Sequence, residues 1–365
     1  MKNKIITISF LIIVFGIFFA NMIKPDEALS YGERRRLAQF PEISAKTVFS
    51  AKAMEDFDKY AADQFIWREH FRKIKTFMDR NILFKLDTNG LFQAFGGIFS
   101  IEYPLHKDKV LHMCQRMDTL YNRYLSGMNV YYTLIPDKNY YLPDGNYLLM
   151  DYEAMARIME QNMPVHAKYI DMFNQLSLSN YYKSDGHWRQ ETLKSVVDTL
   201  NQAMGNGGAP FDLAQYEQKS YQPFYGAYYG QLAGMAVPDT LVWLENEITR
   251  DATLASLGHP GQKDLPIYYI DGLGGMDSYD VYLYGAQPLI SIENPHNPEG
   301  KELILFRDSY GSSLAPLLLE SYFRIIIVDL RYITQELLQD YINFENQDVL
   351  LMYSTTIVNN SDIIR

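Results

Sequence analysis

Cys114 is the sole cysteine of the chain, so an intrachain disulfide and a cysteine-cluster metal site are both excluded. Histidine is scarce as well: seven in 365 residues, with no His-x₃-His spacing that would set two imidazoles on one helical face for zinc. Basic residues are outnumbered, 33 Lys and Arg against 44 Asp and Glu, for a net charge of −11. Nucleic acid is therefore not an expected partner, because phosphate binding needs a basic footprint and the short cluster "GERRRLAQF" (32–40) does not supply one. "DGLGGMD" (271–277) lacks the third glycine of a dinucleotide fingerprint. No nucleotide, metal or redox cofactor is expected.

What is present points to a folded chain. Hydrophobic residues make up 47% and aromatics 14%, enough for the core of one large domain with an appendage, and too much for a disordered chain. The run Ile5–Ile23 carries no charge over 19 residues. As a helix it spans about 28 Å, close to the thickness of a hydrocarbon core. Cleavage as a signal peptide after Ala20 would put Phe18 where a small residue is wanted, so an uncleaved anchor (1–23) is the expected state. Lys2 and Lys4 favour an N-terminus held inside, which places the rest of the chain outside the cytoplasm; Arg34, Arg35 and Arg36 oppose that orientation.

Residues 24–88 read as a stalk and a helical lead-in, with Phe57, Tyr60, Ala61, Phe65, Phe71, Ile74 and Phe77 at roughly helical spacing. From 89 to 365 the pattern alternates. "NVYYTLIP", "LPIYYIDG", "PLISIEN", "ELILFRDS", "RIIIVDL" and "DVLLMYST" are expected strands; "ETLKSVVDTLNQAM", "SSLAPLLLESYF" and "ITQELLQDYINF" are expected helices. Continuous apolar strands interleaved with helices predict an α/β domain with a mainly parallel central sheet, whose ligands bind beyond the carboxyl ends of the strands.

Ser309 falls where the strand "ELILF" gives way to a helix, a position that exposes a hydroxyl beside helix N-terminal N–H groups. Arg307 stands where the first glycine of a Gly-x-Ser-x-Gly elbow would be, so "DSYG" alone reads more readily as an ordinary helix cap. The second signal is "SDGHW". Asp185 and His187 are two apart, and an extended backbone would put both on one face. Asp185 then orients one ring nitrogen and leaves the other for Ser309, the division of labour of a Ser-His-Asp triad. A capping histidine is the plainer reading. None of the other histidines, His70, His106, His112, His166, His259 and His296, has an acid so placed beside a predicted helix start.

"SDGHW" resembles the Asp-x-His-Trp signature of the DHHW family, which is related to the AlgX/AlgJ group of SGNH-like proteins. "ERRRLAQFP" (33–41), "DQFIWR" (63–68), "IPDK" (135–138), "FYGAYYG" (224–230) and the long stretch from Gly300 to Tyr332 resemble further family motifs. The resemblance implies an SGNH-hydrolase-like, flavodoxin-like sheet. It also implies an enzyme outside the cytoplasmic membrane that transfers acetyl groups to a polysaccharide, with a membrane-bound partner supplying the acyl group. Matched motif by motif, Ser309 is the nucleophile, His187 the base and Asp185 its orienting partner. A carbohydrate esterase, or a non-catalytic surface protein, would share the fold. Gly186 stands where the family name has its first histidine. The Gly and Asn that serve SGNH oxyanion holes are missing from "VDLRY" and "LMYSTT", which leaves Arg331, Tyr332, Tyr353 and Ser354 as candidates for a second oxyanion donor by position. Trp188, Tyr225, Tyr228 and Tyr229 are candidates for stacking on sugars, although core packing is the commoner role for any one of them.

Overall fold

The computed structural model describes residues 2–31, 33–143, 145, 147–207, 210–232, 237–256, 261 and 263–365. His259 lies outside them. The chain divides into two compact units, Met1–Leu91 with Tyr229–Val237, and Phe92–Tyr228 with Pro238–Arg365.

The first unit begins with a 22-residue helix, Lys2–Ile23, apolar enough to cross a membrane and with no buried residue. At 1.5 Å per residue it is about 33 Å long. The lead-in expected as one continuous helix is broken. Lys52–Asp63 and Arg68–Asn81 are separate helices, and Trp67 between them adopts a left-handed φ of 57°. Two of the sequence motifs interlock here. The Arg35 guanidinium donates two hydrogen bonds to Asp63, at 2.6 and 2.7 Å. Glu33 accepts from Arg68 and Arg72 at 2.7 and 3.2 Å. Gln64 donates to the carbonyls of Glu27 and Ala38 and accepts from the Glu27 N–H. The Arg35 contact holds the Asp63 carboxyl down to about 2.

The second unit is built on an eight-stranded sheet. In chain order its strands are β1 (Asn129–Ile135), β2 (Lys168–Tyr169), β3 (Thr253–Ser256), β4 (Leu265–Pro266), β5 (Leu289–Glu293), β6 (Glu302–Arg307), β7 (Arg324–Val328) and β8 (Asp348–Ser354). Their spatial order is β4-β3-β5-β7-β6-β8-β1-β2. The run from β7 to β2 is parallel, and β5, β3 and β4 extend it antiparallel. Two expectations are corrected. "LPIYYIDG" forms only the two-residue β4 before turning away, and "ITQELLQDYINF" is a 3₁₀ segment, Gln335–Asp340, rather than an α-helix.

Strand alternation splits the core into two layers. Leu303 and Leu305 of β6 face one apolar cluster, which includes Val196, Val197 and Leu200 of helix Lys194–Ala203 and Leu314 and Leu317 of helix Tyr310–Leu318. Ile304 and Phe306 face the other, against Val110, Met113 and Met117 of helix Lys107–Leu120 and Met155 of helix Tyr152–Asn162. Each such side chain contributes roughly 1.5–3 kcal/mol on burial. Cys114 sits in this second layer, with its Sγ 3.5 Å from Met159 Sδ and its thiol pushed up to about 12 by burial.

Candidate active site

Three parallel strands end side by side, and carboxylates join their ends. Asp308 follows β6; its Oδ2 accepts the Ser354 N–H of β8 at 2.7 Å and its Oδ1 accepts the Tyr310 N–H at 3.0 Å. Asp137 follows β1; it accepts the Thr355 hydroxyl at 2.9 Å and the Tyr152 hydroxyl at 2.9 and 3.0 Å. Burial pushes the Asp137 carboxyl upward, and these hydroxyls oppose that shift. The strand ends are thus fixed relative to one another before any reacting group is considered.

Ser309 sits between Asp308 and helix Tyr310–Leu318. Its Oγ makes no capping bond to that helix, and instead lies 2.7 Å from His187 Nε2. The helix can start this close to the strand because residue 311 is glycine. A Cβ there would meet Arg307 Cβ at 2.7 Å.

Asp185 and His187 do not lie on an extended strand. Residues 183–187 bend, and Asp185 folds onto the residue two ahead: its Oδ1 accepts both the backbone N–H of His187, at 2.9 Å, and Nδ1 of its ring, at 2.6 Å. A carboxylate only accepts, so Nδ1 carries the proton and Nε2 is left to accept from the Ser309 hydroxyl. The second Asp185 oxygen accepts the Ala227 N–H at 2.7 Å. The Tyr279 ring stacks on the imidazole at 4.1 Å between centroids, and Tyr310 flanks it at 5.1 Å.

The motifs around this bend are explained by contact. A Cβ at Gly226 would lie 2.3 Å from Ser184 O and 2.5 Å from Asp185 Cβ, and one at Gly186 would lie 2.6 Å from Tyr228 Oη. No β-carbon fits at either position without movement, which accounts for glycine at 186. Lys138, next to Asp137, is buried and donates to the carbonyls of Tyr182 (3.1 Å), Lys183 (3.3 Å) and Asp185 (2.7 Å). Its ammonium lies over the rings of Phe99 and Tyr228. Burial lowers its pKa to about 8, although Asp185, Asp239 and Asp137 pull the other way.

Several sequence candidates have other tasks. Trp188 is fully buried; its indole donates to Ser313 Oγ at 2.9 Å and to Tyr310 O at 3.2 Å, so it anchors the bend to the helix and has no face for a sugar. Tyr228 holds Lys138, and Tyr225 is exposed. The Ser354 N–H is taken by Asp308, and Arg331 is paired with Asp329 at 2.9 and 2.6 Å. Tyr353 is buried and Tyr332 is half exposed. Among the described residues, no acceptor pairs with the Ser309 N–H. Lys138 and Ala227 lie inside the motifs "IPDK" and "FYGAYYG" but carry no spacing signal of their own, and Tyr279 lies in none of the motifs.

No family model matches the chain, and no curated protein matches it. Solved structures do. A DHHW family protein from Eubacterium siraeum aligns with a TM-score of 0.61 at 19% identity, over 76% of this chain and 97% of that one. PatB1 of Bacillus cereus, solved with a sulfonyl adduct, aligns with a TM-score of 0.57 at 17% identity, over 73% and 97%. The O-acetyltransferase domain of Pseudomonas putida AlgJ aligns with a TM-score of 0.44 at 12% identity, over 74% and 92%. The chain has the SGNH-like α/β fold, and it shares that fold with a DHHW family protein.

Proposed function

We propose that this chain is an extracytoplasmic acyl-transfer enzyme that moves acetyl groups onto a cell-surface or extracellular polysaccharide, with Ser309 as nucleophile, His187 as base and Asp185 as its orienting partner. The observation that carries the reading is the continuous pair of contacts from Ser309 Oγ to His187 Nε2, 2.7 Å, and from His187 Nδ1 to Asp185 Oδ1, 2.6 Å. Such distances suit proton transfer from a hydroxyl to a base held in one tautomer.

Ser309 Oγ attacks the acetyl carbonyl of a donor as its proton passes to Nε2. Asp185 stabilises the imidazolium, and the Ser309 N–H faces the developing oxyanion. The tetrahedral intermediate collapses as the leaving group takes the proton from Nε2. A sugar hydroxyl then gives its proton to Nε2 and attacks the acetyl-serine; collapse returns the proton to Ser309 and releases the acetylated sugar. Exposed Tyr225, one residue before the Gly226–Ala227 segment that holds Asp185, offers a ring for a sugar face. The apolar N-terminal helix supports a membrane-held enzyme, and a membrane-bound partner would supply the acetyl donor.

PatB1 carries a sulfonyl adduct, and sulfonyl fluorides modify activated serines. Phenylmethylsulfonyl fluoride should therefore add one sulfonyl group to this chain at Ser309, and none to Ser309→Ala. With p-nitrophenyl acetate and oligosaccharides, acetylated sugar is the expected product. Free acetate alone would make the chain an esterase, and equal inertness of wild type and Ser309→Ala would make it non-catalytic.

A further inference from the structure

Helix Arg68–Asn81 is built inside out. Its buried residues are Thr76 and Asp79, while Phe71, Ile74 and Met78 are exposed. At about 100° per residue, Trp67, Phe71, Ile74, Met78 and Ile82 form one stripe on the side opposite Thr76. A helix of a water-soluble protein turns such a stripe toward its core. Here it faces away from the unit to which the helix belongs, and the apolar run continues through exposed Leu83, Phe84 and Leu86.

Charge and position indicate what covers it. Residues 68–86 hold six Lys and Arg against Glu69 and Asp79, and with Glu33 paired to Arg68 and Arg72 the segment still keeps an excess of three positive charges, in a chain whose net charge is −11. A basic amphipathic helix of this kind matches an anionic lipid surface. Its location is fixed by a hydrogen bond: the Oδ1 of Asn21, in the last turn of helix Lys2–Ile23, accepts the Ile66 N–H at 2.7 Å. Trp67, the first residue of the stripe, therefore directly follows a residue bonded to the last turn of a membrane-length helix, the level where bilayers collect tryptophan. A cavity of about 520 Å³ beside the stripe is lined by Phe65, Phe71, Arg68, Arg72, Lys75 and Ala62, rings and cationic stems together, as at a headgroup boundary.

We propose that helix Arg68–Asn81 lies on the membrane, with the Trp67–Ile82 stripe set into the headgroup–acyl boundary of an anionic bilayer. The chain would then meet lipid at two places, a crossing helix and a surface helix joined through Asn21 and Ile66. This inference is independent of the acyl-transfer reading.

The chain carries its own reporter. Of the three tryptophans, Trp188 and Trp243 are 0% and 6% exposed, and Trp67 is 58% exposed. The full chain is reconstituted in phosphatidylcholine vesicles, with or without phosphatidylglycerol, containing lipids with a nitroxide either near the headgroup or near the acyl terminus. The shallow nitroxide should quench part of the tryptophan emission, more strongly with phosphatidylglycerol, and the deep one should quench much less. Trp67→Phe should remove the quenchable component. Phe71→Asp with Ile74→Asp should reduce it while the far-ultraviolet circular dichroism and vesicle flotation are retained. Emission that neither nitroxide quenches in the wild type would overturn the proposal. Emission that is unquenched while residues 67–82 cross-link to a second copy or to another membrane protein would assign the stripe to a protein instead.

Discussion

The ammonium of Lys138 lies 2.7 Å from the carbonyl oxygen of Asp185, whose own carboxylate holds His187 2.6 Å away. Lys138 also follows Asp137, which is tied through Thr355 to the end of β8. It therefore transmits the position of the sheet to the bend that carries the proposed base. Lys138→Met removes three hydrogen bonds but also relieves a buried charge, whose desolvation is expensive. Because three carbonyls lose their donor and Asp185 and Asp137 lose a nearby cation, the melting temperature should fall while the far-ultraviolet circular dichroism is retained. Sulfonylation of Ser309 should slow on the order of 10²-fold, the cost of a catalytic group displaced by about 1 Å. A variant that unfolds, or one that reacts at the wild-type rate, would refute this positioning role.

The same lysine should mark the pH profile. Its ammonium loses its proton at about 8 in the folded protein, below the ordinary lysine value of 10.5. The rate of Ser309 modification should fall as pH rises through about 8, and this limb should vanish in Lys138→Met. Unfolding does not predict the same fall. From about pH 8 up to 10.5 the unfolded chain binds this proton and the folded chain does not, so the contribution of Lys138 to stability rises with pH. Circular dichroism followed across that window separates the two effects.

Asp185→Asn keeps the shape of the bend but replaces an acceptor-only group with an amide. An amide directed at Nδ1 favours the tautomer with its proton on Nε2, where the Ser309 hydroxyl needs an acceptor. Acetyl-serine formation should fall on the order of 10⁴-fold. The chain should still fold, since the Ala227 N–H can retain an amide acceptor, although the amide nitrogen then faces the His187 N–H and that one hydrogen bond of the bend is lost. Burst kinetics with p-nitrophenyl acetate measure this directly.

Two glycines next to the site should rank differently. A Cβ at Gly226 collides with Ser184 backbone and Asp185 Cβ, whereas one at Gly186 collides with the end of the Tyr228 side chain. Gly226→Ala should therefore destabilise the protein by at least about 3 kcal/mol, and Gly186→Ala by about 1–3 kcal/mol. Adding Tyr228→Phe should recover part of the second loss and none of the first. Urea midpoints for the wild type and the four variants give the ranking.

Much of the second unit was legible because its signals are local and repetitive. Apolar strands such as "RIIIVDL" and the turn "RDSYG" state the sheet and its carboxyl edge, and Asp185 with His187 two apart states a polarised imidazole. The contacts that hold this bend are not local. Ala227 is 42 residues from Asp185 and Lys138 is 47 away, so nothing in the spacing pairs them. Trp188 stands in a polar stretch that leaves stacking and core packing both open; Ser313, 125 residues on, takes its indole into the core. The lead-in misled by periodicity. Phe65, Phe71 and Ile74 recur as core residues do, but a helical stripe does not state which side of the helix is covered. The break at Trp67 is a left-handed turn that carries no glycine to announce it.

Cys114 leaves the protein with no thiol that a reagent can use at neutral pH. It is buried against Met159, and its ionisation is pushed to about 12, so neither access nor thiolate favours reaction. To maleimides and nitroxide labels the native chain behaves as if it were cysteine-free. A cysteine introduced at any exposed position is then the single reactive handle, and distances between chosen pairs of spin labels can be measured without first rebuilding the core.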